Sequence, residues 1–280
     1  MNNQDKIRLD DADVRSLQPR GLGRLLDETF SIYSRHFRWF VALAAAIQIP
    51  VGIFTLFMFF FASKWFIVSL FTNLISTSGT MLVYSAAIHA VGEQYLTGKI
   101  DIGMCYKRAW HKIISIFAIA ILFMSMMYAL LWSIAINNVY INVVGFAMIV
   151  PCVALLIFWS LAIQVIVVEN YKPIGAIKRS FELVYRSWWR LFGISLVFSL
   201  VVLGLAIIIT IPFAMANGIF QLGPSTLGST MQIATSMAVT TLAPPVLFIA
   251  NTLLYYDIRV RKEHFDLKQL SNDMGLATAS

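Results

Sequence analysis

Residues 171–193 read YKPIGAIKRSFELVYRSWWRLFG. At about 100° per residue, Ile174, Ile177, Phe181, Val184 and Trp188 share one narrow face, while Lys178, Arg179, Glu182, Arg186 and Arg190 occupy the opposite one. Pro173 suits a first helical turn, where its missing N–H is no loss. The stretch therefore predicts an amphipathic helix of about four turns, and it runs straight into a hydrophobic segment. A basic polar face, an aromatic-rich apolar face and an adjoining span are what a helix lying in a bilayer interface requires. Two roles fit it: holding the neighbouring span in register, or binding lipid headgroups.

The rest of the chain supports a membrane setting. Of 280 residues, 59% are hydrophobic and 12% are charged, whereas a soluble domain carries about a quarter charged residues. Apolar segments are predicted near residues 39–62, 66–91, 113–136, 141–168, 191–216 and 232–256, each able to cross a hydrocarbon core of about 30 Å. Pro50, Pro151 and Pro212 lie inside three of them and predict bends; Pro244 and Pro245 predict a break in the last, with Asn251 as a partner for freed backbone groups. Residues 217–231, rich in glycine and small polar side chains, read as an outer loop or a re-entrant segment. The first apolar segment begins too far from the start for a secretory signal, so the amino terminus is expected to be retained.

The opening helix has two counterparts. Leu22, Leu26, Phe30, Tyr33 and Phe37 form one face of residues 22–37, against Arg24, Asp27, Glu28, Arg35 and Arg38. In residues 101–112, DIGMCYKRAWHK, the side chains of Ile102, Tyr106, Trp110 and Ile113 oppose Lys107, Arg108 and His111. An Ile-Gly opening and a Lys-Arg pair followed by a small and an aromatic residue occur in both the second and third copies, which is the signature of a divergent internal repeat. The expected fold is thus all-α: six transmembrane helices as three hairpins, each preceded by an interfacial helix. Residues 1–20 read as a flexible tail, 21–257 as the membrane domain and 258–280 as a second tail.

Charge sets the orientation. Twenty of the 21 Lys and Arg residues and all 14 acidic residues fall on one side of this topology, Lys64 alone lying opposite. The positive-inside rule makes that side, with both termini, cytoplasmic. A net charge of +7 can also signal nucleic acid, but these cations sit between apolar spans, so their expected partner is an anionic membrane surface, a protein or a second copy, with no nucleic acid.

Three stretches carry a family resemblance: PRGLGRLLDETFSIYSRHF at 19–37, KPIGAIKRSFELVYRSWWRLFG at 172–193 and LLYYDIRVRKEHFDLKQL at 253–270. With these motifs the chain resembles the bacterial and archaeal six-helix membrane proteins known as the glycerophosphoryl diester phosphodiesterase membrane domain, together with relatives of unknown function. The resemblance implies a cytoplasmic-membrane location. In family members that are phosphodiesterases, activity belongs to a soluble barrel that follows the membrane domain, so no catalytic residue is carried over to this chain.

The residues themselves point the same way. His36, His89, His111 and His264 lie in four segments without metal-ligand spacing, and Cys105 and Cys152 differ too much in predicted depth to pair. No phosphate loop, nucleophile elbow or cofactor motif occurs; Asp27, Glu28 and Asp257 fit helix-end and salt-bridge roles. No enzyme activity, metal or cofactor is expected. A scaffold or assembly subunit would bind through Arg35, Arg38, Lys107, Arg108, Lys178, Arg179, Arg186, Arg190, Arg259 and Arg261. The alternative is a lipid or small-solute transporter or channel, whose cavity would be lined by the second-span stripe of Asn73, Ser76, Thr77, Thr80 and Tyr84, with Gln232, Thr235 and Ser236. Interhelical hydrogen bonding is the other reading of that stripe.

Overall fold

A computed structural model describes residues 21–62, 66–96, 100–135, 139–219 and 226–263. Residues 1–20 and 264–280, Lys64 and the 136–138 connection lie outside the described residues. Every element among these residues is a helix: α1 (Leu22–Arg35), α2 (Phe37–Ala62), α3 (Phe66–Leu96), α4 (Ile102–Trp110), α5 (Ile113–Ala135), α6 (Val139–Trp159), α7 (Ala162–Val168), α8 (Pro173–Tyr185), α9 (Trp188–Ile219), α10 (Thr226–Leu242) and α11 (Pro244–Glu263). Six stretches are long and apolar enough to cross a membrane: Phe37–Phe61, Leu70–Leu96, Ile113–Leu130, Val143–Val168, Trp188–Ile219 and Thr226–Glu263. The chain is an all-α, multi-pass membrane protein with no sheet or barrel among the described residues.

Successive spans pack on one another. α2 packs on α3, α5 on α6 and α9 on α10, and in each succession the later span is the more buried: 56% against 28%, 22% against 11%, 33% against 11%. The most buried segments are residues 82–93 of α3, residues 161–168 at and within α7, and nearly all of 245–259 in α11. They meet through side chains: the Tyr84 ring stacks on Phe248 with centroids 4.5 Å apart, and Gln164 Nε2 donates to the Tyr84 hydroxyl. The outer helices face lipid with Ile53, Phe57, Ile114, Leu200 and Ile208, all exposed, as a membrane exterior should be.

Close helix approach depends on particular residues. A methyl group on Gly52 would lie within 2.6 Å of the Met237 side chain, and one on Gly79 would meet Ile47 at 3.1 Å, so these glycines set the spacing of α2 against α10 and α3. Ala86 and Ala90 are buried to 0% exposure, whereas Ala42, Ala46 and Ser199 are exposed and pack no helix tightly.

The helices are continuous through Pro50, Pro151 and Pro212, as a bend without a break allows. The fourth span breaks instead at Ser160 and Leu161, where the Ser160 N–H bonds to the Ile157 carbonyl at 3.2 Å and its hydroxyl donates to the same oxygen at 2.8 Å, tightening the last turn and ending α6. The predicted break at Pro244 occurs, with Ala243 between α10 and α11. There the Val246 N–H turns to the Ala243 carbonyl, and the Leu242 carbonyl accepts the Tyr33 hydroxyl at 2.7 Å. Asn251, the expected partner, bonds to Tyr84 instead. The connection expected at 217–231 is shortened at both ends, since α9 continues to Ile219 and α10 starts at Thr226. α11 continues to Glu263, past the 257/258 boundary read from the sequence.

Candidate functional site: the charged end of the bundle

The three short helices α1, α4 and α8 place comparable residues at comparable positions. Leu25, Cys105 and Ala176 are each 0% exposed, and so are Thr29, Ala109 and Ser180 four residues later. One residue further on, Phe30, Trp110 and Phe181 are exposed by 40%, 62% and 44%. Each helix therefore turns small or aliphatic side chains to the protein and leaves an aromatic edge uncovered. In α8 the predicted apolar face is split by this arrangement: Val184 is buried and Ile177 half-buried, while Ile174 and Phe181 are exposed, as is Tyr185 beside them. Ser180 Oγ donates to the Phe158 carbonyl at 2.6 Å, and Phe158 stacks on Phe181, tying α8 to α6.

Between the buried and aromatic residues stands a polar group that reaches the end of a neighbouring span. Arg108 of α4 pairs with Glu93 of α3 at 2.8 Å, and Arg179 of α8 pairs with Glu169, just after α7, at 3.0 Å. At the corresponding position of α1, Glu28 accepts the Tyr95 hydroxyl. Arg179 also pairs with Glu263, and Arg259 bonds to Glu263 at 3.0 Å. Tyr255 donates to Glu169 at 2.7 Å. Asp257, with a side chain 0% exposed, is held by Arg190 at 2.6 Å and by Arg261 at 3.1 Å. Such buried charges are retained when paired and hydrogen-bonded, because leaving one uncompensated is costly. Burial disfavours charged Arg179, but Glu169 and Glu263 outweigh it and hold its pKa above the ordinary guanidinium value.

Further contacts complete this end. Lys262 Nζ donates to the Leu183 carbonyl at 2.7 Å, where the last turn of α8 leaves carbonyls without intrahelical partners. Tyr106 donates to the Leu43 carbonyl, clamping α4 on α2. Asp101 accepts the Met104 N–H at 3.2 Å and starts α4. Burial, reinforced by Glu93, raises the Cys105 thiol far above its usual range, so it stays protonated and unreactive. Burial and Arg35 lower the pKa of His36. His89 is buried and neither ring nitrogen has a hydrogen-bond partner among the described residues; His111 is exposed, and His264 lies outside the described residues. No group of three or more His, Cys, Asp and Glu suited to a metal occurs among the described residues.

The ten basic residues singled out by the sequence thus separate into two sets. Arg108, Arg179, Arg190, Arg259 and Arg261 form ion pairs within the bundle. Arg35, Arg38, Lys107, Lys178 and Arg186 are exposed and make no ion pair among the described residues. Sequence reasoning missed Glu93, Glu169 and Glu263 as the partners. An isolated carboxylate at the end of each later span was the signal available.

The polar stripe of α3 serves several neighbours rather than one cavity. Thr77 donates to Met124 Sδ of α5 at 3.0 Å, Thr80 accepts Gln48 Nε2 of α2 at 3.0 Å, and Tyr84 is buried against Gln164 and Phe248. Asn73 and Ser76 line a groove of about 370 Å³ between α2, α3 and α10. Gln232, Thr235 and Ser236 line a separate groove of about 800 Å³ between α9 and α10. In comparison with known proteins, the chain matches no family model, no curated protein and no solved structure.

Proposed function

We propose that this chain is a non-catalytic membrane scaffold or assembly subunit of the cytoplasmic membrane. In this reading its charged end faces the cytoplasm and engages anionic lipid headgroups. The observation that carries it is the division of the cations. One set is consumed in internal pairs, and the free set, Arg35, Arg38, Lys107, Lys178 and Arg186, stands beside the exposed edges Phe30, Phe37, Trp110, Phe181 and Tyr185. Cations next to uncovered aromatic side chains at the end of a span suit the headgroup region, where each cation near an anionic surface contributes about 1 kcal/mol.

The topology belongs to the same proposal: three hairpins related by an internal repeat, each entered by an interfacial helix, with both termini inside. The recurring buried, polar and aromatic positions of α1, α4 and α8 support it, as does the charge asymmetry. The family resemblance of the three sequence motifs is compatible with it. Transport along the α3 stripe is the weaker reading, because Thr77, Thr80 and Tyr84 are engaged with neighbouring helices.

The test is lipid retention by the full chain purified in nanodiscs of mixed phosphatidylglycerol and phosphatidylcholine. Replacing Lys107, Lys178 and Arg186 together by Gln should abolish enrichment of phosphatidylglycerol while thermal unfolding stays unchanged. Enrichment that survives the triple variant removes the proposal, and co-purification of one stoichiometric protein released by the same variant replaces lipid with a protein partner.

A further inference from the structure

The groove between α9 and α10 lies at the opposite end of the bundle from the ion pairs. Its walls are Thr210, Phe213 and Asn217 of α9 and Gln232, Ser236 and Thr240 of α10, among others. Its volume of about 800 Å³ falls in the range of small-ligand sites. No charged residue lines it among the described residues.

The hydrogen-bond state of the hydroxyls defines what it recognises. Thr210 donates to the Ala206 carbonyl at 2.7 Å, Thr235 to Met231 at 2.8 Å, Ser236 to Gln232 at 2.9 Å and Thr240 to Ser236 at 2.8 Å. A hydroxyl has one proton and two lone pairs. With each proton committed to its own helix, these four side chains turn lone pairs alone toward a ligand. Asn217, half-buried, carries a carbonyl oxygen with no hydrogen-bond partner among the described residues, and the exposed Gln232 amide offers both an acceptor and two donors. Hydrocarbon can satisfy none of these groups.

We propose that this groove binds a hydrogen-bond-donating, uncharged polyol: the sugar headgroup of a neutral glycolipid, or the free sugar. A polyol brings many O–H donors to the acceptor row, while its own oxygens can take the amide protons of Gln232. A phosphate or carboxylate would set its lone pairs against those of the four hydroxyls, leaving it only the Asn217 and Gln232 amide protons and the Ser229 hydroxyl. A second copy docking the same face would do likewise, apart from its Gln232. The site is independent of the cationic end.

The experiment uses the full chain in nanodiscs containing equal amounts of monoglucosyl diacylglycerol, phosphatidylglycerol and phosphatidylcholine, with retained lipid read by native mass spectrometry. The glycolipid should be enriched about tenfold over phosphatidylcholine, a difference of ~1.4 kcal/mol. Gln232→Leu with Ser236→Ala should erase that enrichment without changing thermal unfolding. Should that pair fail to fold, Thr240→Val with Thr210→Val removes acceptors while keeping side-chain shape. Displacement by free maltose assigns recognition to the sugar by itself; retention against maltose assigns it to the lipid-linked form. Equal retention of glycolipid and phosphatidylcholine overturns the proposal. So does enrichment unaffected by either variant, preference for phosphatidylglycerol through these residues, or a wild-type dimer that the variants dissociate.

Discussion

The two ends of the bundle solve opposite problems. At the charged end, Glu93, Glu169 and Asp257 are drawn into the protein, and each meets at least one arginine from another helix. At the far end the polar groups are neutral, many of their protons return to their own backbone, and grooves of about 800 and 370 Å³ separate the helices. The difference shows where the fold is held. Unlike the apolar helix contacts, which hydrocarbon can replace, an ion pair drawn out of water ties its helices firmly because neither charge can be left alone.

Breaking the largest tie should produce the largest effect. Replacing Arg190 and Arg261 together by Leu leaves the fully buried Asp257 carboxylate without the two cations that hold it, and a loss of roughly 3–5 kcal/mol is expected. Unfolding in bicelles measures it, and adding Asp257→Asn should recover much of the loss. No recovery would mean that the arginines act by packing alone.

An intermediate effect separates adjacent residues of one helix. Arg179→Gln removes the links to Glu169 and Glu263 and should cost about 1.5–3 kcal/mol, reduced toward the lower figure by the partial exposure of the guanidinium. Lys178→Gln, one position away and exposed, should stay within about 0.5 kcal/mol. Equal losses from the two variants would erase the distinction between paired and free cations.

An effect well below that of Arg179→Gln belongs to the α3 stripe. Thr77→Val removes one hydroxyl-to-sulfur contact with α5, and Gln48→Leu removes one bond to Thr80; about 0.6 kcal/mol each is the usual worth of an interhelical hydrogen bond in a bilayer. A loss approaching that of Arg179→Gln would place the far half of the bundle on an equal footing with the charged end.

Much of this was legible in the sequence because hydropathy reports what faces lipid. The six spans, the helices at residues 22–35 and 173–185, and the break at Pro244 all follow from local composition. Partner choice is a long-range matter. Nothing local to Lys178 and Arg179 distinguishes the exposed side chain from the one bound to Glu263, 84 residues away. The stripe of α3 had the right residues, yet their division among α2, α5, α7 and α11 depends on how five helices meet. The break at Ser160 carries no proline, and Tyr33 capping Leu242 spans 209 residues.

That last contact, with Arg190 to Asp257 and Arg179 to Glu263, has a consequence for biogenesis. Synthesis runs from the amino terminus, so Tyr33, Arg179 and Arg190 emerge well before α10 and α11 supply their partners. Until the final helix arrives, Arg190 lacks Asp257 and Arg179 holds Glu169 alone. α11 therefore acts as the keystone of assembly. A chain halted before residue 244 should be inserted in the membrane yet remain unlocked and open to proteolysis at its charged end.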